Sequence, residues 1–142
     1  MTKISADIAI FMRCLYEGGA ERAKLNLARN FLERGFQVDL VLLKAEGGYM
    51  KQIPPGVRLI DLKADRKLSI LPKLMQYLRQ ENPATLLTTL HYPCEIAILA
   101  KRLSGVSTRV VVCEENTLSQ EAKKIAQISV KLTPLAARVL YP

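Results

Sequence analysis

Five short apolar runs punctuate the chain, at residues 8–12, 36–43, 57–62, 84–90 and 108–113. Their length and their Val, Ile and Leu content predict strands. The run at 36–43, FQVDLVLL, is almost continuously apolar, as befits a strand covered on both faces. Between the runs the pattern changes period. In 20–34, Ala20, Ala23, Leu27 and Phe31 recur at helical spacing and Ala28 and Leu32 widen the stripe, while Arg22, Asn26, Arg29 and Glu33 lie opposite. The small Ala20 and Ala23 predict a first turn packed close to a sheet, and Gly35 is placed to end the helix in a left-handed cap. A second helix is predicted over 69–80. Its buried side is Ile70, Leu71, Leu74, Met75 and Leu78, with Pro72 in its first turn and Asn82-Pro83 ending it. A third is predicted over 94–103, with Ile96, Ala97, Leu99, Ala100 and Leu103 inward and Gly105 as its stop. Residues 44–56, carrying Gly47-Gly48 and Pro54-Pro55-Gly56, read as loop. Thr117 and Gln120 have capping-box spacing for a helix reaching about 131, and Thr133-Pro134 opens a short one ending near 141.

Strands alternating with helices predict one α/β domain with a parallel, doubly wound sheet and right-handed crossovers. The chain closes on an apolar helix without a sixth strand, so the expectation is a domain cut short, part of a longer protein. In such a sheet ligands bind in the crevice beyond the carboxyl ends of the strands. That directs attention to residues 7–22, DIAIFMRCLYEGGAER, read as strand, glycine turn and helix. Gly18 and Gly19 lack a Cβ, so they permit positive φ in a tight turn and close approach of a ligand to the backbone. The helix behind them offers unpaired N–H groups and the positive end of its dipole to an anion such as a nucleotide diphosphate. The plain alternative is that the two glycines only close the turn. The dinucleotide fingerprint G-x-G-x-x-G is absent, which disfavours NAD.

Composition narrows the partners. Of the 142 residues, 49% are hydrophobic and 24% charged, which fits a folded domain and not a disordered tail. No run is long enough for a membrane span and no secretory signal is legible, so the default location is cytoplasmic. Cys14, Cys94 and Cys113 lack metal-ligand spacing and His91 is the only histidine, so no metal is expected and the thiols read as inert. The net charge of +8 points to anionic partners. Few aromatics and cations spread over several helices argue against nucleic acid and are compatible with an anionic membrane surface or a solvated basic face. His91-Tyr92-Pro93 and Glu114-Glu115-Asn116 follow the fourth and fifth strands, at two further carboxyl-edge positions.

The first strand with G-G-A-E-R (18–22), the helix into E-R-G-F-x-V-x-L-V (33–41), the segment G-V-R-L-I-D-L (56–62) and C-E-E-N (113–116) resemble, in order, the N-terminal half of GT-B glycosyltransferases of the retaining family 4 type. The resemblance covers essentially the whole chain. It implies a Rossmann-like, acceptor-side domain whose donor-binding C-terminal domain is absent. The implied reaction is sugar transfer from a nucleotide-sugar donor, itself a substrate and not a cofactor, to a glycan or lipid-linked acceptor in the assembly of a surface polysaccharide or other glycoconjugate. This implies a peripheral place at the inner face of a membrane. Gly18 and Gly19 would face the donor diphosphate; Glu21, Arg22, His91, Glu114 and Asn116 are the acceptor or sugar-binding candidates. The histidine that many members carry after the fifth strand is replaced here by Glu114-Glu115-Asn116, so no catalytic residue carries over. On its own this half is expected not to catalyse transfer. The alternative is a stand-alone Rossmann-like binding subunit that recruits a catalytic partner to a membrane.

Overall fold

The computed structural model describes residues 6–16, 18–89 and 91–113. Five strands, β1 (Ile8–Met12), β2 (Val38–Leu42), β3 (Arg58–Asp61), β4 (Thr85–Thr89) and β5 (Arg109–Cys113), form one sheet in the order β3-β2-β1-β4-β5. Every pairing is parallel. Three helices, α1 (Gly19–Glu33), α2 (Lys67–Glu81) and α3 (His91–Ser104), and a 3-10 turn at Gly48–Gln52 connect them. The chain steps outward from β1 to β3, then returns past β1 to β4 and β5. With right-handed crossovers this reversal sends the connections to opposite faces. Leu25 and Ala28 of α1 join Ile10, Met12, Leu40 and Leu42 on one face. Ile70, Leu74 and Leu78 of α2 and Ala97 and Ala100 of α3 join Ala9, Phe11, Val41 and Leu86 on the other. The alternation of Ile10 and Met12 with Ala9 and Phe11 is the period of two of a strand buried on both sides. The fold is a doubly wound, Rossmann-like α/β sheet.

The strands, the helices and the Gly35 and Gly105 stops, both at positive φ, agree with the sequence pattern. Four details do not. On α1 the inward positions are Lys24, Leu25 and Ala28, and Ala23 is exposed. The expected Leu27, Phe31 and Leu32 are half-buried against the same cluster, beside Tyr49 and Met50 of the 3-10 turn, which the 44–56 segment, read as loop, did not announce. α2 starts two residues early, so Pro72 lies inside the helix and not in its first turn, leaving the Leu68 carbonyl without its i+4 donor. α3 also starts earlier, at His91, which opens the helix and does not sit in a loop before it. Finally, Leu99 and Leu103, expected inward, are exposed, and Ile98 is buried in their stead.

At the amino edge of the sheet a polar clamp ties three elements. Buried Asp39 of β2 accepts hydrogen bonds from Arg58 Nε (2.9 Å), Arg58 Nη2 (2.6 Å) and the Tyr77 hydroxyl (2.7 Å), and Arg58 also reaches Glu81 (2.9 Å). These carboxylates raise the pKa of Arg58, and burial followed by the Asp39 contact raises that of Tyr77, so one stays charged and the other protonated. The clamp accounts for an aspartate within an otherwise apolar strand.

Candidate functional site

Because the chain leaves β1 in one direction and returns to pair β4 on its other side, β1 and β4 flank the topological switch point of the sheet. The crevice beyond their carboxyl ends, Met12 and Thr89, is where an open α/β sheet binds ligands. The first residue of α1, Gly19, and the first residue of α3, His91, stand on its two sides, on opposite faces of the sheet. The topology thus brings Gly18, Gly19, Glu21 and Arg22 to one wall and His91 to the other. Glu114 and Asn116 lie outside the described residues.

Neither glycine of the turn has the conformation expected of it. Gly18 is the N-cap of α1 at φ −158°, extended backbone open to any residue, and Gly19 is helical, so neither has the positive φ that a tight turn would require. Among the described residues, a Cβ on Gly18 would meet only the movable end of the Glu21 side chain, and a Cβ on Gly19 would meet nothing within 4 Å. Neither backbone geometry nor packing among the described residues therefore calls for glycine here, and the space above the N–H groups of the first turn is open among those residues. The Arg22 amide donates to the Gly18 carbonyl (3.1 Å), closing the first turn. Glu21 is at N3, where a carboxylate folds back over the N-cap and partly neutralises the positive helix end. Arg22 and Arg13 are exposed beside the turn.

The strand-to-helix segment 13–16 is held by the loop after β2. The Lys44 amide donates to the Arg13 carbonyl (3.2 Å), the Leu15 amide to the Glu46 carbonyl (2.9 Å) and the Tyr49 amide to the Leu15 carbonyl (3.0 Å). Gly47, at φ 122°, makes this possible: a Cβ there would collide with the backbone of Leu15 and Tyr16. Side chains add a second latch. The Tyr16 hydroxyl donates to Glu46 Oε1 at 2.6 Å, and Lys44 lies 3.5 Å from Glu46 Oε2. The hydrogen bond holds Glu46 below the usual carboxylate range, with Lys44 and Arg13 assisting, and it raises the Tyr16 pKa. Donor and acceptor therefore keep their roles across the neutral range. Buried Cys14 has its pKa raised chiefly by desolvation, so it stays a thiol and a poor nucleophile at neutral pH.

On β4, opposite Phe11, Thr88 is fully buried on the face that carries α2 and α3, and its hydroxyl has no partner among the described residues. It is a rare orphan beside the switch point. Sequence reading passed over Arg13, Tyr16, Lys44, Glu46, Gly47 and Thr88. Only the Gly47-Gly48 pair and the place of Tyr16 between strand and glycines marked any of them in advance. Among the described residues no three His, Cys, Asp or Glu side chains cluster as a metal site would require, and no helix is long and apolar enough to cross a membrane. In comparisons with known protein families and with curated proteins, no family model and no protein matches the chain.

Proposed function

We propose that the chain is the acceptor-side domain of a retaining, GT-B type glycosyltransferase. In this reading a nucleotide-sugar donor is held mainly by a C-terminal domain or partner subunit, and its diphosphate meets the N–H groups at Gly18 and Gly19. A glycan or lipid-linked acceptor occupies the crevice between the starts of α1 and α3, near Glu21, Arg22 and His91, at the cytoplasmic face of an anionic membrane. The reading assigns no role to a metal or to nucleic acid. The observation that carries it is Gly19: a glycine at the first position of a helix, on the switch-point crevice, with open space where its side chain would stand. The order of sequence landmarks shared with the family supports it independently.

The test separates ligand space from folding. Gly19→Ala meets no atom of the described residues within 4 Å, so its stability should stay within about 0.5 kcal/mol of the parent, since the helical preference for alanine is small at a terminus. Titrating the isotopically labelled chain with uridine diphosphate should shift the amides of residues 18–22, and Gly19→Ala should weaken that binding. Glu21→Gln, by removing a competing negative charge from the helix end, should tighten it about 2–5-fold. Undisturbed amides at millimolar nucleotide, or a Gly19→Ala variant that binds as the parent does, would remove the reading.

A further inference from the structure

We propose that Tyr16 and Glu46 form a sugar-ring subsite at the carboxyl edge of the sheet, beside the turn from β1 into α1, the tyrosine ring stacking on the apolar face of a pyranose and the carboxylate accepting one of its hydroxyls. The identity of the ligand rests on the transferase reading; the site itself rests on how Tyr16 is held. Its side chain is 56% exposed, and its ring is in neither of the two core clusters. Packing therefore does not explain an aromatic residue at this position. Yet the ring is not loose. The backbone leading into it is held at Arg13 and Leu15 by the segment around Gly47, which lies against the Tyr16 amide, and its hydroxyl is tied to Glu46 by a hydrogen bond of 2.6 Å. An exposed aromatic fixed at both ends is a preorganised platform, which lowers the ordering cost of binding.

The charges nearby select among flat ligands. Glu46 accepts hydrogen bonds and cannot donate them; Lys44 and Arg13 stand beside it and Asp65 lies 4.0 Å from Lys44, so two charges of each sign balance and the locality is polar and close to neutral in sum. A hydroxyl-rich ring supplies donors to the carboxylate and C–H groups to the aromatic face. A phosphate would meet the negative Glu46 and is better placed at the helix start, beyond Gly18. The two ends of one turn thus divide the work: hydroxyls and ring carbon at Tyr16, diphosphate at Gly19.

The test uses methyl β-D-glucopyranoside, methyl α-D-mannopyranoside and methyl β-D-galactopyranoside as probes of the folded chain, read from the aromatic resonances of Tyr16 in the parent and from the amides of residues 44–47 in parent and variants alike, with uridine and uridine diphosphate run in parallel. At least one glycoside should shift the Tyr16 ring. Tyr16→Ala should weaken that binding roughly tenfold, and Tyr16→Phe, which keeps the ring and loses the tether, only a few-fold. Unchanged amide spectra away from residue 16 check the fold of both variants. Silence of the Tyr16 ring toward every glycoside, undiminished affinity in Tyr16→Ala, or stacking of uridine instead of a glycoside would overturn the subsite. If the diphosphate still shifts residues 18–22 in that case, the transferase reading survives alone. Glycoside binding at Tyr16 with no nucleotide effect would uphold the subsite and remove that reading.

Discussion

Gly19 and Gly47 lie at the same carboxyl edge of the sheet, and the same substitution should act on them in opposite ways. Gly47 has φ 122°, a region closed to residues with a Cβ, and the added atom would strike main-chain atoms of Leu15 and Tyr16, which cannot swing aside as a side chain can. Gly47→Ala is expected to cost at least about 2 kcal/mol, seen as a lowered urea midpoint at unchanged slope. Because the same contact aligns the turn that leads to Gly18, any surviving fold should also show shifted amides at 15–19. A Gly47→Ala protein as stable as the parent would mean that the segment 44–49 does not clamp the turn. Gly19→Ala, with nothing inside 4 Å, is the matched control for backbone freedom at a position that geometry leaves open.

At the scale of elements, the clamp at the amino edge makes β2, β3 and α2 one mechanical unit. Asp39 is 3% exposed and accepts three hydrogen bonds, two from Arg58 and one from Tyr77, so removing it strands the buried Tyr77 hydroxyl and leaves Arg58 with Glu81 alone. Arg58 is half open to water, which places the loss for Asp39→Ala near the low end for a broken buried pair, about 3 kcal/mol. Combined with Arg58→Ala, the double variant should fall short of the sum by about 1–3 kcal/mol; simple additivity in chemical denaturation would deny the pairing. The elements themselves were legible because burial on both faces writes a continuous apolar run for β2 and a 3.6-residue stripe for α2. What was not legible has one physical source. Asp39 and Arg58 are nineteen positions apart, as Tyr16 and Glu46 are thirty apart, and no local periodicity announces a partner that only strand order brings near. The outward turn of Leu99 and Leu103 is of the same kind: an apolar residue at helical spacing tells which face repeats, and the covering layer decides which face is inside. For the candidate site, the glycine turn was readable from its residues, whereas the clamp that supports it was hidden in a segment read only as loop.

For the whole molecule the question is where the charge of +8 meets its counterpart. Leu68 is 92% exposed in the first turn of α2, at the carboxyl edge, with Lys63 and Arg66 exposed just before it. Asp65 is the opposing charge there, and it lies 4.0 Å from Lys44. A projecting leucine among cations is poorly suited to water and well suited to an anionic lipid surface, which takes up the side chain and the charges together. β3 is two strands from β1, so this corner stands about 10 Å along the sheet from the glycine turn. In the proposed transferase reading, a surface bound there would leave the crevice within reach of a lipid-linked acceptor. The chain is therefore expected to sediment with vesicles containing phosphatidylglycerol, to bind those of phosphatidylcholine alone far less, and to be released as salt is raised. Leu68→Asp should lower vesicle affinity roughly tenfold or more through the lost burial and the added negative charge. It should leave the unfolding midpoint unchanged or slightly raised, because the position is exposed and an acid suits the start of a helix. Full binding by Leu68→Asp would move the cationic surface away from this corner, and equal binding to both vesicle types would leave the charge of the molecule as solvation alone.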